Sequence, residues 1–308
     1  GNKEEEAMRA NRTVFILLAL AVLATFAGAQ TDAAVEATYV GAETCLGCHD
    51  TFGETMGAHG KPGFANLSDH GCETCHGPGS IHADDPDVVE NRPTMEGKSA
   101  AEKSAICQSC HDGRAQFFWS GSMHETRNVA CTDCHSVHSP KSEKAQLVAS
   151  SMLEQCFSCH KNVRADLWKN SHHPIREGKI SCSDCHNPHG TQTAKMVLGE
   201  SVNELCYTCH TEKRGPFIWE HAPVRESCLN CHTPHGSNHI KLQKTSVPYI
   251  CQQCHSNTRH PGTIYDNTKL PTEDFPNTGS NRVFNRACLD CHAAIHGSNH
   301  PSSPYLGY

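Results

Sequence analysis

The chain has 308 residues, of which 37% are apolar and only 6% aromatic, while 20 are cysteine and 24 histidine. An ordinary globular domain is about 45–50% apolar, so the two conventional cores expected of this length are excluded. Full disorder is excluded by the regular placement of cysteine and histidine. The net charge of -7 argues against a nucleic-acid partner. Something other than side-chain burial must therefore organise the chain.

Residues 1–29 are predicted to be an upstream segment followed by a secretory signal peptide. Met8 is the expected start, and the apolar run Val14–Ala27 ends in the small-residue cleavage signal Ala27-Gly28-Ala29. This run is shorter than the 18 or more residues of a spanning helix, which disfavours a retained membrane anchor. The first cysteine, Cys45, lies far beyond the cleavage signal, so no lipid anchor is expected. The predicted location is the periplasm.

Every cysteine belongs to a C-x-x-C-H motif, the attachment sequence of c-type haem. The thiols add to the porphyrin vinyl groups, and the closing, proximal histidine binds the iron. The predicted haem-binding cysteines are Cys45, Cys48, Cys72, Cys75, Cys107, Cys110, Cys131, Cys134, Cys156, Cys159, Cys182, Cys185, Cys206, Cys209, Cys228, Cys231, Cys251, Cys254, Cys288 and Cys291. The predicted proximal histidines are His49, His76, His111, His135, His160, His186, His210, His232, His255 and His292.

Disulfides and zinc sites are the alternatives for paired cysteines in an exported chain. Neither requires a histidine directly after each pair, whereas all ten pairs have one. We therefore expect ten covalently bound haem c groups, one for about every 28 residues after residue 29. At this density the cofactors themselves should form the core, and electrons should pass between neighbouring haems.

Fourteen further histidines can supply the ten sixth ligands. The motifs fall into five successive pairs, and each pair has one histidine between its motifs and one soon after the second. The predicted distal ligands of the between set are His59, His124, His173, His221 and His260. Those of the after set are His82, His138, His189, His235 and His296. An after-set histidine lies too close to its own motif to reach the far face of that haem, so it should bind a neighbouring haem.

Internal alignment selects among adjacent histidines. Trp119 precedes His124 by the same spacing with which Trp168 precedes His173, so His173 is the expected ligand and His172 a spare. The other spare histidines are His70, His239 and His300, expected to face solvent or haem propionates.

The five motif pairs predict a single elongated decahaem domain, residues 30–308, built from five di-haem units. Their approximate bounds are 30–96, 97–143, 144–195, 196–240 and 241–308. The expected fold class is a multihaem cytochrome c, mostly irregular with short α-helices, a haem wire with little or no β-sheet. Clustered helix formers predict helices over Ser99–Gln108 and Lys144–Phe157.

The ten motifs, the Cys72–Ser80 stretch, the Asn187-Pro188-His189-Gly190 type of repeat and the closing His296–His300 segment together resemble the MtrA/DmsE family of decahaem cytochromes. The resemblance covers nearly all of residues 30–308. It implies a haem wire inside an outer-membrane β-barrel partner. Such a wire accepts electrons from a periplasmic or inner-membrane donor cytochrome. It passes them to a surface multihaem cytochrome or reductase, and so to metal oxides or dimethyl sulfoxide.

Two other functions stay open at this point. A multihaem reductase of small nitrogen or sulfur oxyanions needs an iron with an open coordination position, whereas histidines suffice here for all ten irons. An extracellular cytochrome filament would stack terminal haems between subunits, with spare histidines such as His70 or His300 available near the ends. We expect an electron-transfer protein rather than an enzyme.

Overall fold

The computed structural model describes residues 36–60, 70–255 and 287–307. The signal-peptide prediction over residues 1–29 and the ligand prediction for His260 lie outside these residues. Within them the chain is mostly irregular, with short helices and isolated β-bridges but no strand, which confirms the predicted fold class.

The described residues form eleven α-helices of four to nine residues. In chain order they are α1 Ala42–Leu46, α2 Asp50–Thr55, α3 Glu73–His76, α4 Ser80–Asp84, α5 Ala100–Gln108, α6 Cys131–Cys134, α7 Met152–Phe157, α8 Lys161–Leu167, α9 Val202–Tyr207, α10 Ala222–Glu226 and α11 Tyr249–Gln252. The 3-10 turns are Gly57–Gly60, Val89–Asn91, Arg114–Gln116, Glu125–Arg127, Cys182–Asp184, Ala194–Met196, Thr211–Lys213, Cys228–Asn230, Ile240–Leu242 and Cys288–Asp290. In the described part of the chain, none of the helices is long and apolar enough to cross a membrane.

Helix α5 begins where the sequence predicts. The Ser99 hydroxyl accepts a hydrogen bond from the Glu102 backbone N–H, and the Glu102 carboxylate accepts one from the Ser99 N–H. This capping box satisfies donors that the first turn leaves unpaired.

The predicted helix over Lys144–Phe157 is wrong in its first half, because α7 begins only at Met152. Ala145 and Gln146 have left-handed backbone conformations, with φ of 63° and 49°. Two successive left-handed residues cannot continue a right-handed helix. Their carbonyl groups instead turn back to the preceding motif, as described below.

Six apolar side chains are buried within the described residues: Trp119, Ala130, Leu147, Phe157, Leu167 and Val197. A described length of more than 200 residues would normally bury a much larger apolar core. Packing of the polypeptide against itself therefore supplies little of the order in this fold, as the composition predicts.

Backbone contacts divide the described residues into two compact units. The first compact unit contains residues 36–48 and 70–94. The second contains residues 49–60, 95–255 and 287–307.

The first compact unit is held by a buried carboxylate. Glu73 is 3% exposed, and its carboxylate accepts hydrogen bonds from the backbone N–H groups of Gly41 and Gly79, each at 2.8 Å, and of Val40 at 3.0 Å. Thr38 also pairs with Ser80, whose hydroxyl accepts the Thr38 N–H at 2.8 Å. These bonds tie the segment before the first motif to the second motif.

Candidate haem sites and electron path

Each motif folds as one short turn. In nine of the ten, the N–H of the proximal histidine donates to the carbonyl of the first cysteine at 2.9–3.1 Å, and in the first motif the Cys48 N–H donates to Cys45. This i to i+4 closure brings both sulfur atoms and the imidazole to one small region of backbone. A covalently attached haem requires that arrangement if its iron is to bind the histidine of its own motif.

The first cysteines of the two motifs in each pair lie against one another. A hydrogen bond with Cys107 is the main cause that lowers the pKa of Cys131 to about 6, and one with Cys156 lowers the pKa of Cys182 to about 7. In the remaining pairs the pKa of the first thiol is raised, mainly by burial and next by the charge of the paired thiol. These pairs are Cys45–Cys72, Cys206–Cys228 and Cys251–Cys288. The two haem attachment points of every motif pair are therefore neighbours.

The second cysteine of an even-numbered motif lies close to the next motif along the chain. Burial raises the pKa of Cys134, Cys185 and Cys231, and a thiol of the following motif adds to the rise in each case. The neighbouring thiols are Cys159, Cys209 and Cys254. Attachment points from the third motif to the tenth thus follow one another in space in the order of the sequence.

Seven pairs of histidine rings face each other at nearly one distance. Their ring centroids are 6.0–6.4 Å apart, and each pair joins a proximal histidine to a predicted distal ligand from another motif pair. The pairs are His111–His59, His160–His124, His210–His173, His255–His221, His135–His189, His186–His235 and His232–His296.

This distance matches a metal bound between two imidazoles. With metal–nitrogen bonds of about 2 Å, and ring centroids about 1 Å behind the nitrogen atoms, the two centroids lie about 6 Å apart. The described residues fit haem c because the thiol pairs and the facing imidazoles occur together at successive motifs.

A junction is the boundary between successive motif pairs, and the pairing is reciprocal at the three junctions from the second motif pair to the fifth. A between-set histidine faces the first proximal histidine of the next motif pair, as His173 faces His210. An after-set histidine faces the second proximal histidine of the preceding motif pair, as His235 faces His186. At these three junctions, neighbouring motif pairs therefore each place one imidazole against a proximal histidine of the other.

Hydrogen bonds fix the orientation of many of these rings. The Nδ1 atoms of His124 and His173 each lie 2.7 Å from a proline carbonyl oxygen, those of Pro188 and Pro234. A carbonyl can only accept, so Nδ1 carries the proton and Nε2 is left with a lone pair for a metal. His221 makes the same contact with Ile295 at 3.0 Å.

Partial burial favours the neutral form of the after-set rings His189, His235 and His296, and the neutral form is the one that binds a metal. Burial lowers the pKa of His189 and His235, and burial together with Lys213 lowers the pKa of His296 to about 4. The sequence expectation that these rings reach a neighbouring haem agrees with where they lie, and ligation itself stays a prediction.

A glycine follows each of these three histidines, and it lies where the previous motif pair leaves no room for a side chain. A Cβ at Gly190 or Gly236 would overlap the carbonyl oxygen of Phe118 or Asp166, and one at Gly297 would overlap the Phe217 ring. The sequence analysis did not assign a role to these glycines, although the repeated His-Gly pair is a visible signal.

The remaining predicted ligands are placed individually. His138 packs against Phe52 with ring centroids 5.0 Å apart, and Phe52 also lies near His49. His82 is partly buried in α4. The Nδ1 atom of His76 lies 2.8 Å from the Pro93 carbonyl oxygen, and that of His292 lies 2.7 Å from the Tyr305 carbonyl oxygen.

The spare histidines have protein partners. His70 stacks on Tyr39 with centroids 3.9 Å apart, and His172 bonds the Lys169 carbonyl and the Glu177 carboxylate. The His239 N–H donates to Ser237, and the His300 carbonyl accepts from the Trp219 indole. The ring of His172 thus bonds protein groups, whereas the ring of His173 faces the proximal His210.

Family models match successive parts of the chain. The doubled CXXCH motif matches residues 172–215 and 221–260, the NrfB-like cytochrome c-type protein model matches residues 72–159, and the cytochrome c554 and c-prime model matches residues 21–77. The last two models describe c-type cytochromes, and the first describes the repeated CXXCH motif itself.

Two relatives extend the comparison. Cytochrome c-type protein NrfB of Escherichia coli O6:H1 is 31% identical over 131 residues, which are 40% of this chain and 66% of that protein. Multiheme cytochrome MtrA of Shewanella baltica is 42% identical over 280 residues, which are 86% of this chain and 81% of that protein. Together with the repeated attachment motifs, this similarity shows that the chain belongs to the MtrA family of multihaem c-type cytochromes, which transport electrons.

Proposed function

We propose that this chain binds ten haem c groups and conducts electrons from the periplasm across the outer membrane, inside a β-barrel partner. Its electrons come from a periplasmic or inner-membrane cytochrome. They leave to a surface multihaem cytochrome or terminal reductase that serves an extracellular acceptor. The observation that carries the proposal is the unbroken spatial order of attachment cysteines from the third motif to the tenth.

Haem iron supplies a centre that takes up and releases one electron. The cysteines from Cys107 to Cys291 would hold such centres, and each motif has a thiol near one of the next motif. The exchanged histidines hold successive motif pairs together, so spacing between neighbours is set by short protein bridges. A chain of sites in sequence order suits transport over a distance, whereas a reductase needs a site that admits substrate.

The described histidines support irons whose two axial positions are both filled by imidazole, which leaves no open position for catalysis. Each of the seven facing pairs offers an imidazole from both sides. We extend this to ten six-coordinate, bis-histidine irons, and hence to an electron-transfer protein rather than an enzyme. The similarity to MtrA over 86% of the chain supports the barrel partner and the periplasmic location.

The test reconstitutes the path. The barrel that co-purifies with the cytochrome is inserted into liposomes that enclose a redox dye, and a reductant is added outside. Bleaching is expected with barrel and cytochrome together, and at background rate with either protein alone. Electron transfer by the cytochrome alone, the absence of any co-purifying barrel, or assembly of the pure protein into filaments would contradict the proposal.

A further inference from the structure

The proximal histidines of the fourth, sixth and eighth motifs share a hydrogen bond that the haem-attachment motif does not require. Their Nδ1 atoms lie 2.6–3.0 Å from a backbone carbonyl oxygen nine or ten residues further along the chain. The pairs are His135–Ala145, His186–Lys195 and His232–Lys241.

Each of these carbonyls belongs to the first of two successive left-handed residues, which we call a left-handed pair. Lys195 and Met196 have φ of 62° and 54°, and Lys241 and Leu242 have φ of 55° and 57°. Ala145 and Gln146, described above, form the third pair. None of the six residues is glycine, and a left-handed conformation is unfavourable for a non-glycine residue. Such strain persists only where the surroundings impose it.

The surroundings here are the haem motif itself. The second carbonyl of the pair, that of Met196, accepts the backbone N–H of Asn187 at 3.0 Å, and the Leu198 N–H donates to the Cys185 carbonyl at 2.9 Å. Backbone hydrogen bonds with the residues on either side of His186 thus hold the left-handed pair Lys195–Met196 in place. Equivalent bonds join Leu242 to Thr233 and Gln146 to Ser136, each at 2.8 Å.

Ring partners at these three sites have no such bond. Nδ1 of His189 is buried without a hydrogen-bond partner, and no carbonyl contact is seen at His235 or His296 among the described residues. At the fifth, seventh and ninth motifs the situation is reversed. There the distal rings of His124, His173 and His221 have the carbonyl contact, and the proximal rings do not. Six facing pairs therefore contain one carbonyl-bonded imidazole each.

We propose that the left-handed pairs are positioning devices for reduction potential. Their residues Ala145, Lys195 and Lys241 hold one carbonyl on the proximal imidazole, so that the even-numbered sites match the odd-numbered sites, where Pro188, Pro234 and Ile295 supply it. A hydrogen bond from Nδ1 makes an imidazole a stronger donor to its metal. Stronger donation stabilises the ferric state and lowers the potential. One bond per iron keeps the potentials along the file similar, which rests on the bis-histidine ligation proposed above.

Substitution of Lys195 separates backbone geometry from side chain. Lys195→Val disfavours the left-handed conformation because valine is β-branched, whereas Lys195→Gly and Lys195→Asn tolerate it. Redox titration of the haem-loaded protein, followed by its optical spectrum, is expected to show one component shifted to a more positive potential in Lys195→Val. The same variant should show an altered low-spin electron paramagnetic resonance signal from one haem. Lys195→Gly and Lys195→Asn should match the parent protein in both measurements.

Equal shifts in the valine and glycine variants would overturn the proposal, because the lost lysine charge would then be the cause. An unchanged potential in Lys195→Val with all haems low-spin would also overturn it. The same series at Lys241 guards against a local folding defect: if both valine variants lose haem while both glycine variants keep it, the turn is needed for folding and the tuning role is wrong. Failure of bis-histidine ligation would show instead as a high-spin haem in the parent protein.

Discussion

The first compact unit is joined by a carboxylate, whereas the second is joined by imidazoles and glycines. Glu73 gathers three backbone N–H groups in the first unit, residues 36–48 and 70–94. In the second, successive motif pairs meet through exchanged histidines and side-chain-free contacts. Hydrogen bonds to a carboxylate thus hold the first unit together. In the second unit, the contacts between motif pairs are made by predicted haem ligands and by the glycines that follow them.

Charge divides the same way. The described residues of the first compact unit contain seven acidic residues and one basic residue, Arg92, while those of the second contain 18 acidic and 17 basic residues. Almost all of the net charge of the described chain therefore lies in the smaller unit. The repeats are nearly neutral before their cofactors are counted.

The largest effect is expected from adding a side chain at the close contact between two motif pairs. Gly236→Ala places a Cβ on the Asp166 carbonyl oxygen, which is rigid backbone. Overpacking of this kind costs about 3 kcal/mol. The two motif pairs must then separate, which withdraws His235 from His186 and His173 from His210. We expect two high-spin haems that bind carbon monoxide, measured by absorption spectroscopy and gas titration.

The matched control is Gly113→Ala. Gly113 has φ of -111° and open space where a Cβ would lie, so alanine is accommodated there. If both variants keep every haem low-spin, close approach at Gly236 does not hold the ligand exchange.

A smaller effect is expected from removing a single exchanged ligand. His173→Ala should open one iron, that of the seventh motif, because His173 faces His210. Added imidazole should return the spectrum to low spin. His172→Ala, in which the replaced ring bonds only Lys169 and Glu177, should keep all haems six-coordinate. The reverse result would show that the internal alignment through Trp168 is wrong.

The smallest effect is expected in the first compact unit. Glu73→Gln keeps the shape of the side chain but removes the charge that its three N–H donors stabilise, at a cost of about 1–3 kcal/mol. We expect faster amide hydrogen exchange in residues 36–48, with all haems still low-spin. Glu43→Gln, an exposed change in the same unit, should leave exchange unaltered.

Titration gives Glu73 a further signature. Burial alone would raise its pKa, but the N–H groups of Gly41, Gly79 and Val40 hold the pKa below the ordinary 4.5. Because folding favours the ionised form, this stabilisation is complete above the unfolded pKa and is lost as the pH falls below about 4.5. The protection of amides in residues 36–48, taken relative to the intrinsic exchange rate at each pH, should therefore fall with acid in the parent protein and change less in Glu73→Gln. An equal acid response in both would exclude Glu73 as the cause.

Much of the site could be predicted from the sequence because covalent haem attachment is local. Five successive residues carry the two thiols and the proximal imidazole, so a motif such as Cys182–His186 can be recognised from the sequence alone. The choice of His173 over His172 also follows from a repeat in the chain. The helix expected from Lys144 failed because propensity does not register the demand that a haem motif places on a later backbone segment.

The sequence by itself predicts the cofactor type, the attachment residues and the paired arrangement of motifs, since each is set by chemistry within a few residues. Only the tertiary structure decided which motif seven of the predicted distal histidines face, because a pair such as His189 and His135 meets across a junction that no local spacing encodes. It also decided the roles of Gly236 and of the left-handed Lys195. These depend on backbone carbonyls, and a carbonyl that every residue possesses leaves no mark in the sequence until the fold brings it to an imidazole.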